Sequence, residues 1–179
     1  TGVQTCAFPI LCGDLLIAGS YDGTIRMWNT ATWACVRTLD GHGEAIVSVV
    51  TAGGKLISGS LDNTIKIWST TTWTCERTLT DHTNTVFALG LTPDGRKLLS
   101  SSDDMTVKIW DTTSWVCERT LQCDRAVWSL LVSGSTVFIG QDGGELDVFN
   151  WETGEKVGTL AGPTDVVRSF ALSGGKLCS

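Results

Sequence analysis

Two sets of residues in this chain are of the types that catalysis uses. His42, Ser58 and Asp62 form one set, followed by Trp68; His82, Ser100 and Asp104 form the other, followed by Trp110. A serine with a histidine and a carboxylate supplies nucleophile, general base and orienting group, the parts of a hydrolytic triad. The pattern argues against that chemistry here. It occurs twice in one register, which suits a structural device better than a single active site. No G-x-S-x-G sequence marks a nucleophile elbow. There is no C-x-x-C or His/Cys zinc spacing, no phosphate loop and no unrepeated acid/base pair. The chain is therefore expected not to be an enzyme, with no catalytic residue, no metal ligand and no cofactor.

The elements that hold these residues repeat. The stretch LISGSLDNTIKIWSTTTWTCERTL, Leu56 to Leu79, returns upstream as LIAGSYDGTIRMWNTATWACVRTL and downstream as LLSSSDDMTVKIWDTTSWVCERTL. A worn fourth copy, VFIGQDGGELDVFNWETGEKVGTL, runs from Val137 to Leu160. The period is 40 residues from Trp28 to Trp68 and 42 from Trp68 to Trp110; Phe149 follows 39 later. Each copy reads as three strands. Asp62-Asn63, or Asp22-Gly23 in the earlier copy, makes a tight hairpin turn between apolar runs. Alternation places Ile65 and Ile67 on one face of the second strand, with Thr64, Lys66 and Trp68 on the other. In the third strand Trp73, Cys75, Arg77 and Leu79 are expected on one face. An apolar run precedes each copy (46–50, 85–91, 126–132 and 166–172), which makes four antiparallel strands per repeat.

Composition bounds the rest. The chain has 179 residues, 42% hydrophobic and 18% charged, enough to bury a core. No 18-residue apolar run exists, so no membrane insertion is expected. A net charge of −6 with 13 basic residues spread over the repeats argues against binding nucleic acid. Seven cysteines, three of them in the same slot of the third strand, read as small apolar residues in a reducing compartment. An intracellular location, cytoplasmic or nuclear, is the expectation.

A repeat near 40 residues carrying Gly-His, then S-G-S-x-D, then I-W-D/S/N resembles the WD40 family of β-propellers. The resemblance covers essentially the whole chain. It implies an all-β fold: a partial WD40 propeller of four four-stranded antiparallel blades plus part of a fifth. The blades run approximately 1–39, 40–79, 80–121, 122–160 and, in part, 161–179. Rings of this family usually close with seven blades, so the chain is expected to be a portion of a longer propeller; the alternative is that copies complete one another. The resemblance also implies that His42, Ser58, Asp62 and Trp68, and again His82, Ser100, Asp104 and Trp110, form hydrogen-bonded structural tetrads. The fourth copy has neither His nor indole, and the first has Ala18 in the serine slot. Those two are expected to be held mainly by apolar packing.

The function implied is non-catalytic: a scaffold or adaptor that recruits a protein or peptide partner on the propeller face. The repeat pattern is similar to the C-terminal WD repeats of RING-type ubiquitin ligases and atypical α-kinases. By position within the repeat, Tyr21, Leu61, Phe87, Asp103, Trp128 and Arg168 are the candidates for the mouth of the central channel, with Gln141 in the corresponding slot of the fourth copy. Interface cores favour aromatics and arginine. The alternatives are that Phe87 or Trp128 plugs the channel, or that the chain is a structural subunit of a larger complex and packs through blade rims. Trp33, Trp73 and Trp115, where many WD repeats carry glycine, are expected to pack between blades or to form a binding stripe on the rim.

Overall fold

The computed structural model describes residues 9–160, Val167 and the stretches Ala171–Ser173 and Lys176–Cys178. The start of the expected first blade, Thr1–Phe8, and the candidate Arg168 lie outside the described residues. The protein is all-β, and in each four-stranded sheet every strand pairs with its neighbour in sequence. The first sheet holds β1 (Ile10–Cys12), β2 (Leu15–Gly19), β3 (Ile25–Asn29) and β4 (Cys35–Leu39). The second holds β5 (Ile46–Ala52), β6 (Lys55–Ser60), β7 (Ile65–Ser69) and β8 (Cys75–Leu79). The third holds β9 (Val86–Leu91), β10 (Lys97–Ser102), β11 (Thr106–Asp111) and β12 (Cys117–Gln122). The fourth holds β13 (Val127–Ser133), β14 (Thr136–Gln141), β15 (Leu146–Asn150) and β16 (Lys156–Leu160). A hairpin of β17 (Ala171–Ser173) and β18 (Lys176–Cys178) follows. Among the described residues no helix is long and apolar enough to cross a membrane.

The chain forms two compact units, Thr1–Val86 and Phe87–Ser179. In the first, Ile17, Ile25, Met27, Ile46, Leu56 and Trp68 belong to one buried cluster. In the second, Leu99, Val107, Ile109, Val127, Ile139 and Phe149 belong to another. The middle strands are covered on both faces, so Leu56 to Ser60 are all buried. That accounts for runs such as LISGS, which do not alternate apolar with polar. Outer strands β4 and β8 are exposed except for their last leucine, as befits sheet edges kept polar against stray pairing.

The hairpins between second and third strands follow from their sequences. Gly23 has φ 79° and Asn63 φ 69°, the left-handed geometry that tight turns require. Asp22 and Asp62 each accept a hydrogen bond from the amide two residues on, at 3.1 and 3.0 Å, an Asx-turn that fixes the corner.

The outer strand departs from the expected alternation. The register shifts between Ile67 and Trp68: Ile67 faces Arg77, but Trp68 faces Cys75, which leaves Glu76 as the extra residue of a β-bulge. Cys75 therefore stands opposite Trp68, on the other face from Arg77 and Leu79. Trp73 is not in the strand but ends the turn before it, at φ 59°. Trp33 and Trp115 repeat this at φ 56° and 59°. Left-handed backbone costs a side-chain-bearing residue of order 1–2 kcal/mol, so packing elsewhere must hold it. The cysteines also differ from expectation: Cys35 and Cys75 are exposed and Cys117 is half-buried, because each begins an outer strand that is exposed along most of its length.

Candidate functional site

The second blade carries the first tetrad intact. The Trp68 Nε1–H donates to Ser58 Oγ at 2.9 Å. Ser58 Oγ lies 2.7 Å from His42 Nε2, and His42 Nδ1 lies 2.9 Å from Asp62 Oδ2. An indole can only donate, and an ionised carboxylate can only accept. The serine proton must then go to Nε2, and the histidine proton sits on Nδ1 facing the carboxylate. The chain of donors runs from indole to hydroxyl to neutral imidazole to carboxylate with every proton placed. Burial lowers the His42 pKa below its ordinary value against the pull of Asp62, which keeps the imidazole neutral at pH 7. Burial pushes the Asp62 carboxyl up, but hydrogen bonds from Thr64, the Gly43 amide and His42 outweigh it and hold the group at about 2. The Gly-His pair has a steric reason as well. A Cβ on Gly41 would lie 2.8 Å from Cη2 of Trp68, so only glycine lets the ring lie over the turn.

This geometry disposes of the hydrolytic alternative at these positions. Ser58 is fully buried, and its hydroxyl is committed on both sides. A nucleophile must reach substrate. In the third blade the indole of Trp110 donates to the equally buried Ser100 at 2.8 Å. Asp104 closes its turn by accepting from the amide and hydroxyl of Thr106 at 3.0 and 2.6 Å, and His82 is buried. Cys123 is buried and no better placed for nucleophilic chemistry: desolvation first, then the nearby Asp147 charge, push its thiol up to about 12. Among the described residues no cluster of His, Cys, Asp or Glu is arranged to hold a metal ion.

The fourth blade joins a buried polar network to the apolar packing of Val127, Val137, Ile139 and Phe149. Asp147 is buried, in the slot that Lys66 occupies in the second blade. The cross-strand pair Lys66–Thr78 becomes Asp147–Thr159, with Thr159 Oγ1 donating at 2.7 Å. Lys156, in the cysteine slot, places its ammonium 2.7 Å from the same carboxylate. Gln141 donates to Asp147 Oδ2, the oxygen that Lys156 also faces, and accepts from the Arg125 amide at 3.0 Å. A buried carboxylate demands such partners. Gln141 is thus buried in this network and does not line an opening. Its neighbour Gly144 takes φ 82° where the other turns have Gly23 and Asn63.

The remaining candidates divide between the two units. In the first, Tyr21 is 59% exposed and Leu61 36%. Each directly precedes the aspartate of a closed turn, so its side chain is presented outward. In the second, Phe87 on β9 and Trp128 on β13 stack with ring centroids 4.0 Å apart and planes inclined by 17°. Both are half-buried, as is Asp103. The repeat places both rings in one slot of successive blades, and the structure adds that they stack face to face.

Comparisons with known proteins agree with this architecture. The family described as WD domain, G-beta repeat matches residues 2–29, 33–69 and 73–111. WD repeat-containing protein pop1 of Schizosaccharomyces pombe is 46% identical over 37 residues, which are 21% of this chain and 5% of that protein. WD repeat-containing protein 86 of Homo sapiens is 42% identical over 45 residues, 25% of this chain and 12% of that protein. The match therefore spans a small fraction of these curated relatives. The crystal structure of the computationally designed Ika8 protein aligns with a TM-score of 0.82 at 25% identity, covering 94% of this chain and 53% of that chain. WD repeat proteins generally mediate protein–protein interaction or scaffolding and are generally non-catalytic. With repeated four-stranded sheets, the Ser–Trp hydrogen bonds and the family match over more than half its length, this chain belongs to the WD40-repeat family of β-propeller proteins.

Proposed function

We propose that this chain is a non-catalytic scaffold that recruits a protein or peptide partner through aromatic and apolar side chains on its propeller face. The supporting observation is the Phe87–Trp128 stack, 4.0 Å between centroids. A stacked pair holds two large rings rigid before binding, so little side-chain entropy remains to be lost when a partner covers them. Aromatics of this kind are enriched among interface residues that dominate affinity. Tyr21 and Leu61 offer further exposed contact area, and Asp103 would select polar groups. Arg168 would do the same from a segment outside the described residues.

A second reading, a structural subunit packing through its rim, draws on Trp33 and Val36, 69% and 53% exposed. One comparison separates the two. Partners captured by the wild-type chain are quantified against Phe87→Ala with Trp128→Ala, and against Trp33→Ala. Recruitment through the face requires the double variant to lose its partner at least about tenfold while its circular dichroism stays native and Trp33→Ala binds normally. The reverse pattern would favour the rim and refute the face.

A further inference from the structure

The slot that holds tryptophan in three blades is empty of side chain in the fourth. Trp33, Trp73 and Trp115 all take positive φ there, and Gly154 takes φ 83°. In the first unit, Trp73 packs against the buried cluster that contains Met27. The counterpart of Met27 in the third blade is Ile109. Ile109 lines a cavity of about 200 Å³ together with Glu118, Arg119, Trp151 and Glu152. The cavity thus lies where an indole would sit if residue 154 followed its siblings.

Its walls are fixed. Trp151 packs against the cluster containing Ile109 and donates its Nε1–H to the Gly134 carbonyl at 2.9 Å. Arg119 donates from Nη1 to the Thr153 carbonyl at 3.0 Å, which holds the guanidinium over the turn. Its Nη1 comes within 2.8 Å of where a Cβ on Gly154 would stand. Glu118 is engaged by Lys97 at 2.7 Å. Among the described residues, the Glu152 carboxylate makes no ion pair, and it lies at the exposed lip.

We propose that this cavity is a binding notch for an indole side chain presented by a partner segment with a lysine or arginine beside it. The chain itself displays the occupant, since Trp73 fills the corresponding place in the first unit. The size suits a ring, because a cavity of roughly 150 Å³ accepts benzene. Ile109 and Trp151 supply apolar contact, and the Arg119 guanidinium offers a cation to the ring face. Glu152 supplies the charge that a basic neighbour on the partner would meet. The notch shares no residue with the Phe87–Trp128 pair, so its failure would leave the face reading intact.

The test uses the full chain, with 5-fluoroindole followed by fluorine NMR and the peptide acetyl-Gly-Trp-Lys-Gly-amide followed by saturation-transfer NMR. Wild type should bind both saturably, and the alanine version of the peptide should not bind. Gly154→Trp, which plugs the notch from within, should abolish binding of both probes. Glu152→Gln should weaken the lysine peptide a few-fold and leave 5-fluoroindole unchanged. If Gly154→Trp does not fold, Arg119→Met carries the decision, with at least a threefold loss of 5-fluoroindole affinity expected. Undiminished binding in the folded plugged variant, or in Arg119→Met, overturns the proposal; so does equal binding of the alanine peptide.

Discussion

The second and fourth blades use one frame to bury two unlike polar systems. In the second, a neutral relay joins Trp68, Ser58 and His42 to Asp62, and the only formal charge sits at the end nearest solvent. In the fourth, a carboxylate lies in the interior at Asp147, neutralised by Lys156 and held by Thr159 and Gln141. The difference lies in what each blade risks. Removing Trp68 costs the relay one hydrogen bond and removing Ser58 costs it two, but neither strands a charge in the interior. A buried ion pair loses its neutrality, and the stranded charge has nowhere to go.

The largest test of that contrast is Lys156→Ala. It leaves Asp147 buried without its cation and should destabilise by about 3 kcal/mol, the low end for a broken buried pair because the ammonium is partly exposed. A urea midpoint unchanged from wild type would show that the pair adds nothing. Asp62→Ala comes next, at about 1–3 kcal/mol, since the His42 N–H loses its acceptor inside the blade. If Asp62→Ala proved the costlier of the two, the proposed ranking of the blades would be inverted.

The smallest effect is the pH dependence. The folded pKa of His42 lies below its ordinary value of 6.5, and that of Asp62, at about 2, lies below its ordinary 3.8. In both cases the unfolded chain binds more protons than the folded one through the window between the two values, so stability rises with pH there. The relay contribution of His42 is fully present above 6.5 and is lost as pH falls through the folded value; Asp62 adds a second loss between 3.8 and about 2. The only other histidine is His82. Unfolding midpoints taken at successive pH values from neutral to mildly acid should therefore fall, and His42→Gln should flatten part of that slope. An identical slope in wild type and variant would mean that the imidazole is not held neutral by the blade.

Much of the frame was legible in the chain. The resemblance to WD40 repeats implied the indole bonds, and the register realises them: Ser58 pairs with Lys66 and Trp68 with Leu56, so Ser58 and Trp68 are diagonal neighbours on one face, as Ser100 and Trp110 are in the third blade. The Asp-Gly and Asp-Asn corners gave the turns. The bulge between Ile67 and Trp68 escaped the alternation, because the extra residue leaves no mark in a pattern of apolar and polar letters. The buried network of the fourth blade escaped it too. Gln141 was expected at the channel mouth from its repeat slot, nothing in the pattern singled out Asp147 or Lys156, and only their opposition across β14, β15 and β16 makes them partners.

By itself the sequence determined the all-β class and the four strands of each repeat, and its resemblance to WD40 repeats implied the tetrad positions. The strands follow from local rules: alternation, turn chemistry and a period set by one blade's length. The tertiary structure alone decided which side chains meet between blades. It brought Phe87 onto Trp128, packed Trp73 into a core at a left-handed φ, and left a cavity beside Gly154. Such contacts depend on how neighbouring sheets stack and twist against one another, and a one-dimensional period carries no record of that.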